Sequence, residues 1–217
     1  MWTTQYEANE LPDAATPAWT KSPSFDATTE EISPAGYLHL VSNTDGDTAY
    51  KKTDSNLSNA IGTTVEAKIQ AISVPTRAAG LDAIGVYIYD GTRSVVMYIY
   101  SDAVELYDGG SIAYYEMDTT DDYHTYHMTL KGTAAKVYVD GVLRVSGETP
   151  ATTAVKQIMF AGGDWWGAAV ESSWDYLYYR TDGAFPPGRI LAGSRALASS
   201  RTLATNREVI GSSRSKI

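Results

Sequence analysis

Ile84-Gly85-Val86-Tyr87-Ile88-Tyr89-Asp90-Gly91-Thr92-Arg93-Ser94-Val95-Val96-Met97-Tyr98-Ile99-Tyr100 is the stretch that decides the fold. β-Branched and aromatic residues fill both of its ends, and Asp90-Gly91-Thr92-Arg93 breaks the middle. Such side chains suit a pleated, half-buried surface, and Gly91 supplies the positive φ of a tight reversal without a Cβ clash. A β-hairpin is therefore predicted. On either side the same pattern recurs. Val65-Glu66-Ala67-Lys68-Ile69-Gln70-Ala71-Ile72 alternates, so Glu66, Lys68 and Gln70 share one face of a strand. Val104-Glu105-Leu106-Tyr107 reverses at Asp108-Gly109-Gly110 into Ile112-Ala113-Tyr114-Tyr115, and Asp140-Gly141 marks a further reversal. Short strands joined by tight turns, with no helical period between them, predict an all-β fold: an antiparallel jelly-roll β-sandwich. Residues 1–64 read as looser, with one or two edge strands pinned to the core by Trp2, Tyr6, Trp19 and Phe25.

The chain divides at Pro187. Residues 1–187 make the sandwich, and residues 188–217 an extended C-terminal arm of hexads. Arg189, Arg195, Arg201 and Arg207 recur every six residues, with Leu191, Leu197, Leu203 and Val209 on the same period. Six is a multiple of two, so an extended strand keeps both series on one face, whereas a helix scatters them. The arm holds five arginines and Lys216 against Glu208, a charge of +5, which leaves −14 on the body of this −9 chain. An acidic body repels phosphate, so nucleic acid is excluded as a partner and an acidic protein surface is expected instead. No apolar run approaches the roughly 20 residues that span a bilayer. Met1-Trp2-Thr3-Thr4-Gln5 lacks the charged and apolar regions of a signal peptide. Cysteine is absent, which removes disulfides, thiol nucleophiles and thiolate metal sites.

Tyr123-His124-Thr125-Tyr126-His127-Met128-Thr129-Leu130-Lys131-Gly132, followed by Lys136-Val137-Tyr138-Val139-Asp140-Gly141-Val142-Leu143, resembles the concanavalin A-like lectin/glucanase superfamily. Laminin-G-like modules and family-sixteen-type glucanases carry a similar strand before a Tyr-Val-Asp-Gly hairpin. Trp174-Asp175-Tyr176-Leu177-Tyr178-Tyr179 resembles the closing strand of such modules, and the likeness runs over about residues 25–186. It implies an antiparallel jelly roll whose concave face or rim loops often bind glycans. The superfamily holds enzymes, lectins and structural modules alike, so fold does not choose among them.

Candidate chemistry is sparse. Glu116-Met117-Asp118 with Asp121 and Asp122 invites comparison with the glucanase signature E-x-D-x-x-E, whose carboxylates act in pairs. Here Asp121 stands in place of the last Glu, and the cluster abuts the Tyr123-His124 strand, whereas the family places its catalytic strand well upstream. No catalytic residue is assigned, and a solvated acidic loop is expected. Asp45, Asp47 and Asp54, and Asp164 with Glu171, are acidic groups of the kind that hold Ca²⁺ in the superfamily, but they lack a defined ligand spacing. No cofactor and no metal site is therefore expected, with Ca²⁺ the one candidate ion. Trp165 and Trp166, with Asp164 beside them, form the candidate carbohydrate-binding site, because aromatic faces stack on sugars and a carboxylate accepts their hydroxyls. His39, His124 and His127 are given structural roles.

The sequence thus predicts a non-catalytic structural or adhesive subunit, assembling with copies of itself or other subunits of a particle or fibre. A virion or extracellular surface protein of the capsid-decoration or fibre kind fits that reading, and surface glycans are its second class of partner. The alternative is a carbohydrate-binding module or a glucanase-type glycoside hydrolase.

Overall fold

The structure, a computed structural model, describes residues 1–44, 46–80, 83–163 and 168–188. Its strands begin with β1 (Thr4–Tyr6), β2 (Thr20–Lys21), β3 (Ala27–Ile32), β4 (Leu38–Ser42) and β5 (Ala49–Thr53). β6 (Thr63–Ser73) leads through a 3-10 turn at Arg77–Ala79 into β7 (Ile84–Asp90) and β8 (Ser94–Ile99). β9 (Ala103–Tyr107) and β10 (Ser111–Glu116) follow, then β11 (His124–Lys131), β12 (Ala134–Val139) and β13 (Val142–Glu148). β14 (Lys156–Ala161) and β15 (Glu171–Arg180) complete the set. The first sheet has the order β13-β12-β11-β6-β15-β4-β3, with β1 on β15 beyond the end of β4; the second runs β10-β9-β8-β7-β14-β5-β2. All the strand pairings are antiparallel. This is the predicted jelly-roll sandwich.

The turns form where the sequence places them. Asp140 and Gly141 both have positive φ, 51° and 81°, the requirement of a two-residue hairpin turn whose twist matches its strands. At the other hairpin Gly91 has φ 87°, and Asp90 Oδ1 accepts the backbone N–H groups of Thr92 and Arg93.

Residues 1–64 are better ordered than the sequence suggests: they supply β1 to β5, shared between both sheets. The reason lies in an aromatic cluster between the sheets. Phe160 of β14 meets Trp174 of β15 at 4.9 Å, Trp19 at 5.2 Å, Tyr50 at 5.4 Å and Tyr6 at 6.1 Å between ring centroids. Tyr6, Trp19 and Tyr50 fill the middle of the core, while Phe25 packs at its margin and Trp2 lies against Tyr178.

After β15, residues 181–188 fold back over the outer face of the first sheet. Thr64 Oγ1 donates to the Gly183 carbonyl (2.8 Å) and accepts the Phe185 N–H (3.0 Å). His127 Nε2 lies 2.6 Å from the Phe185 carbonyl. The arm residues Arg189, Leu191, Arg195, Leu197, Arg201, Leu203, Arg207 and Val209 lie outside the described residues.

Candidate functional site

Alternation in the second sheet sends Val86, Ile88, Val95, Met97, Ile99, Val104 and Leu106 into the core. It therefore sends Tyr87, Tyr89, Val96, Tyr98, Glu105 and Tyr107 to the opposite, outer face. There the tyrosines touch one another. Tyr87 and Tyr89 are nearly parallel at 6.2 Å, Tyr98 meets Tyr87 edge-on at 6.1 Å, and Tyr107 lies 5.4 Å from Tyr98. Met159, Ala49 and Ala161 complete this second apolar cluster. Tyr87 is only 3 % exposed although it points away from the core, so the face is recessed. Gly85 makes the recess possible: a Cβ there would come within 2.5 Å of the Tyr87 ring.

At one end of this row the chemistry turns polar. Glu105 stands directly across from Tyr98 and is buried. Its Oε1 takes a hydrogen bond from Arg77 Nη2 at 3.0 Å, and the same guanidinium nitrogen reaches Ser111 Oγ at 3.1 Å. The guanidinium lies over the Tyr114 ring at 3.8 Å. Burial, and then the charge and hydrogen bond of Glu105, push the Tyr100 phenol well above its ordinary value, so it stays protonated. The Tyr100 ring is 6.1 Å from that of Tyr98. A neutral proton donor, a carboxylate and a guanidinium thus meet beside an aromatic rack.

The residues singled out in the sequence are placed otherwise. Glu116 is exposed at the end of β10, an edge strand. Asp118 accepts the N–H and hydroxyl of Thr120 at 2.9 and 2.7 Å, which hold its carboxyl below the usual range. Asp121 and Asp140 grip the two ring nitrogens of His124 at 2.8 and 2.7 Å. Asp118, Asp121 and Asp122 lie in the loop between β10 and β11, and Glu116 ends β10. Asp47 accepts from Ser22 and Ser24, and Asp54 from Tyr179, while Glu171 faces His39 Nε2 at 3.0 Å. Among the described residues no three His, Asp or Glu side chains are arranged to hold a metal ion. Asp45, Asp164, Trp165 and Trp166 lie outside the described residues. The Arg77–Glu105–Tyr100 group escaped the sequence reading because its members come from a loop, a strand and a turn. The tyrosine alternation on β7 and β8 was the available signal, and it reads equally well as sheet packing.

No known protein family matches the chain by sequence profile, and no curated protein matches it by sequence. Solved structures do resemble it. An alginate lyase of polysaccharide lyase family 7 superposes with TM-score 0.55 at 16 % identity, over 82 % of this chain and 94 % of that one. A β-glucanase of Bacillus licheniformis gives 0.55 at 17 %, over 81 % and 96 %. An endo-1,3-β-glucanase of Streptomyces sioyaensis gives 0.56 at 15 %, over 82 % and 95 %. The fold is thereby the concanavalin A-like jelly roll. These neighbours also overturn the expectation of a non-catalytic virion or fibre subunit and of no enzyme, since they are polysaccharide-cleaving enzymes and bring forward the carbohydrate-active alternative.

Proposed function

We propose that this chain is a carbohydrate-active enzyme that holds a polysaccharide across the outer face of the second sheet. The observation that carries the reading is the row Tyr87, Tyr89, Tyr98 and Tyr107, recessed and mutually packed. Pre-packed rings lose little entropy on binding, and their apolar bodies with polar tips suit sugars, which are themselves apolar on the ring face and polar at the rim. The enzymes that share the fold lend support.

The polar end of the row is where bond cleavage is assigned. Two-carboxylate hydrolysis needs carboxyl groups roughly 5–9.5 Å apart on the substrate side. On this face the described residues offer Glu105, buried and paired with Arg77, and the exposed Glu116, two residues along β10 from the Tyr114 that stands opposite Glu105. We assign the Tyr100 phenol to protonate the leaving oxygen and Glu116 to take the matching proton, from water in hydrolysis or from the sugar ring in elimination, with Glu105 and Arg77 fixing the phenol and balancing charge. The test is a panel of neutral and uronic acid polysaccharides incubated with the full chain, read both for new reducing ends and for the unsaturated ends that elimination leaves. Cleavage that falls at least tenfold in Tyr100→Phe, with Tyr98→Ala weakening binding, is expected. A panel neither bound nor cleaved by folded protein overturns the reading; binding without cleavage leaves only the carbohydrate-binding module.

A further inference from the structure

A second site lies on the opposite side of the sandwich. A cavity of about 500 Å³ opens on the outer face of the first sheet, lined by Glu66, Thr125, Asp140, Tyr176, Pro187 and Gly188 among others. That volume falls within the roughly 300–1,000 Å³ of small-ligand sites. β6, β11 and β15 supply one wall, the Asp140-Gly141 turn a second, and the returning residues 187–188 a third.

The walls are rich in acceptors. Glu66 Oε1 accepts from the Tyr176 hydroxyl at 3.1 Å, and Oε2 lies 3.1 Å from His127 Nδ1. Asp140 Oδ1 accepts the Thr125 N–H at 2.9 Å, and Oδ2 lies 2.7 Å from His124 Nδ1. A carboxylate oxygen has two lone pairs, so each of these four atoms retains capacity for a further donor. Proton counting then decides what kind of donor is wanted. The Phe185 carbonyl can only accept, so His127 Nε2 carries a proton, and the bond between Nδ1 and Glu66 needs another of its own. Whether that proton sits on the ring or the carboxyl, the pair has no spare negative charge. His124 lies between Asp140 and Asp121, so that group keeps one negative charge even with the imidazole protonated. No three His, Asp or Glu side chains among the described residues are arranged to hold a metal ion, and the remaining acceptor capacity of these oxygens suits hydroxyl donors. The cavity also has an aromatic wall: Tyr178 stacks on one face of Tyr176, 4.4 Å away and 15° from parallel, and Tyr176 borders the cavity.

We infer that this cavity binds a small neutral saccharide, whose hydroxyls donate to Glu66 and Asp140 and pair with the Thr125 hydroxyl in the cavity wall, and whose ring lies against Tyr176. The site is independent of the tyrosine face of the second sheet, and the experiment separates the two. The full chain is titrated with hexoses, N-acetylhexosamines and their disaccharides, followed by ligand-observed NMR, beside the variants Tyr98→Ala, Asp140→Asn and Thr125→Val. At least one sugar is expected to bind wild type and Tyr98→Ala alike. Its affinity should fall about tenfold in Asp140→Asn, the worth of a hydrogen bond to a charged acceptor, and severalfold in Thr125→Val. Thr125 is half-buried and its replacement is isosteric, so an unchanged melting temperature is expected and keeps the test valid if Asp140→Asn loosens the turn. No sugar bound by Tyr98→Ala protein, or equal binding by wild type and Thr125→Val, overturns the inference. So does binding there of a guanidinium compound in place of sugars.

Discussion

Replacing Arg77 by Met tests whether the polar end of the tyrosine row is held by charge. The Glu105 side chain is 5 % exposed and that of Arg77 29 %. Removing one partner of a buried ion pair costs roughly 3–5 kcal/mol, because the other charge is left without compensation. Solvent reaches part of the guanidinium, and that screening brings the expected loss to about 2–3 kcal/mol. Glu105→Gln keeps the shape and an acceptor for Tyr100, and should cost about 1 kcal/mol. In the double variant no charge remains to be stranded, so the total should fall short of the sum by about 1–2 kcal/mol. The cation–π contact with Tyr114 is lost in both Arg77→Met backgrounds and cancels in the cycle. For a domain of this size Arg77→Met should lower the melting temperature by roughly 5–10 °C. Urea unfolding followed by tryptophan fluorescence gives the four free energies. If the two single losses add to within about 0.5 kcal/mol, the pair is not coupled and the argument for a pre-set acid fails.

Three further outcomes follow from particular contacts. Burial works against a charged His124, but hydrogen bonds to Asp140 and Asp121 outweigh it and raise its pKa above the ordinary 6.5. The stabilisation is thus full below that value and is lost as pH rises through the higher folded-state pKa; the melting-temperature gap between wild type and His124→Gln should shrink accordingly, and a gap independent of pH would refute it. Gly85→Ala should push the Tyr87 ring from its place, costing roughly 1–3 kcal/mol and weakening polysaccharide binding, so a variant that binds and melts like wild type contradicts the recessed face. Phe160→Ala removes the ring on which Trp174, Trp19, Tyr50 and Tyr6 converge and should cost roughly 3–5 kcal/mol by chemical denaturation; a loss below about 1 kcal/mol would mean that the N-terminal aromatics do not share one core.

What could be read in advance was local. The Asp90-Gly91 and Asp140-Gly141 reversals and the Val65–Ile72 alternation are set by neighbours in sequence, and each appears where expected. What could not be read depends on partners far apart along the chain. Glu66 finds His127 sixty-one residues away and Tyr176 one hundred and ten away, and neither spacing leaves a pattern in the sequence. Trp19 sits in a stretch of turn residues, so nothing local announces that it is buried against Phe160. The tyrosines of β7 and β8 were visible, but period-two alternation assigns faces without saying which face is the core. Here the aliphatic residues took the core, and the rings were left to the outside.

The two outer faces answer differently to a ligand, and the difference comes from what each must already satisfy. On the first sheet Glu66 is tied to His127 and Tyr176, Lys68 is tied to Asp175, and residues 181–188 lie across part of the face. A polymer laid there would have to break charge-assisted hydrogen bonds and desolvate both members of each pair. Only a ligand small enough for the cavity, with hydroxyls to add to acceptors already in place, avoids that cost. On the second sheet the row runs from Tyr89 through Tyr87 and Tyr98 to Tyr107, and its one buried carboxylate is already matched by Arg77. Covering it displaces water from the half-buried rings of Tyr89, Tyr98 and Tyr107 and strands no charge, which is favourable for an extended glycan. The same argument fixes the order of experiments: loss of polymer binding should track Tyr98, and loss of small-sugar binding should track Thr125 and Asp140. If both follow a single set of residues, the assignment of separate ligands to the two faces is wrong.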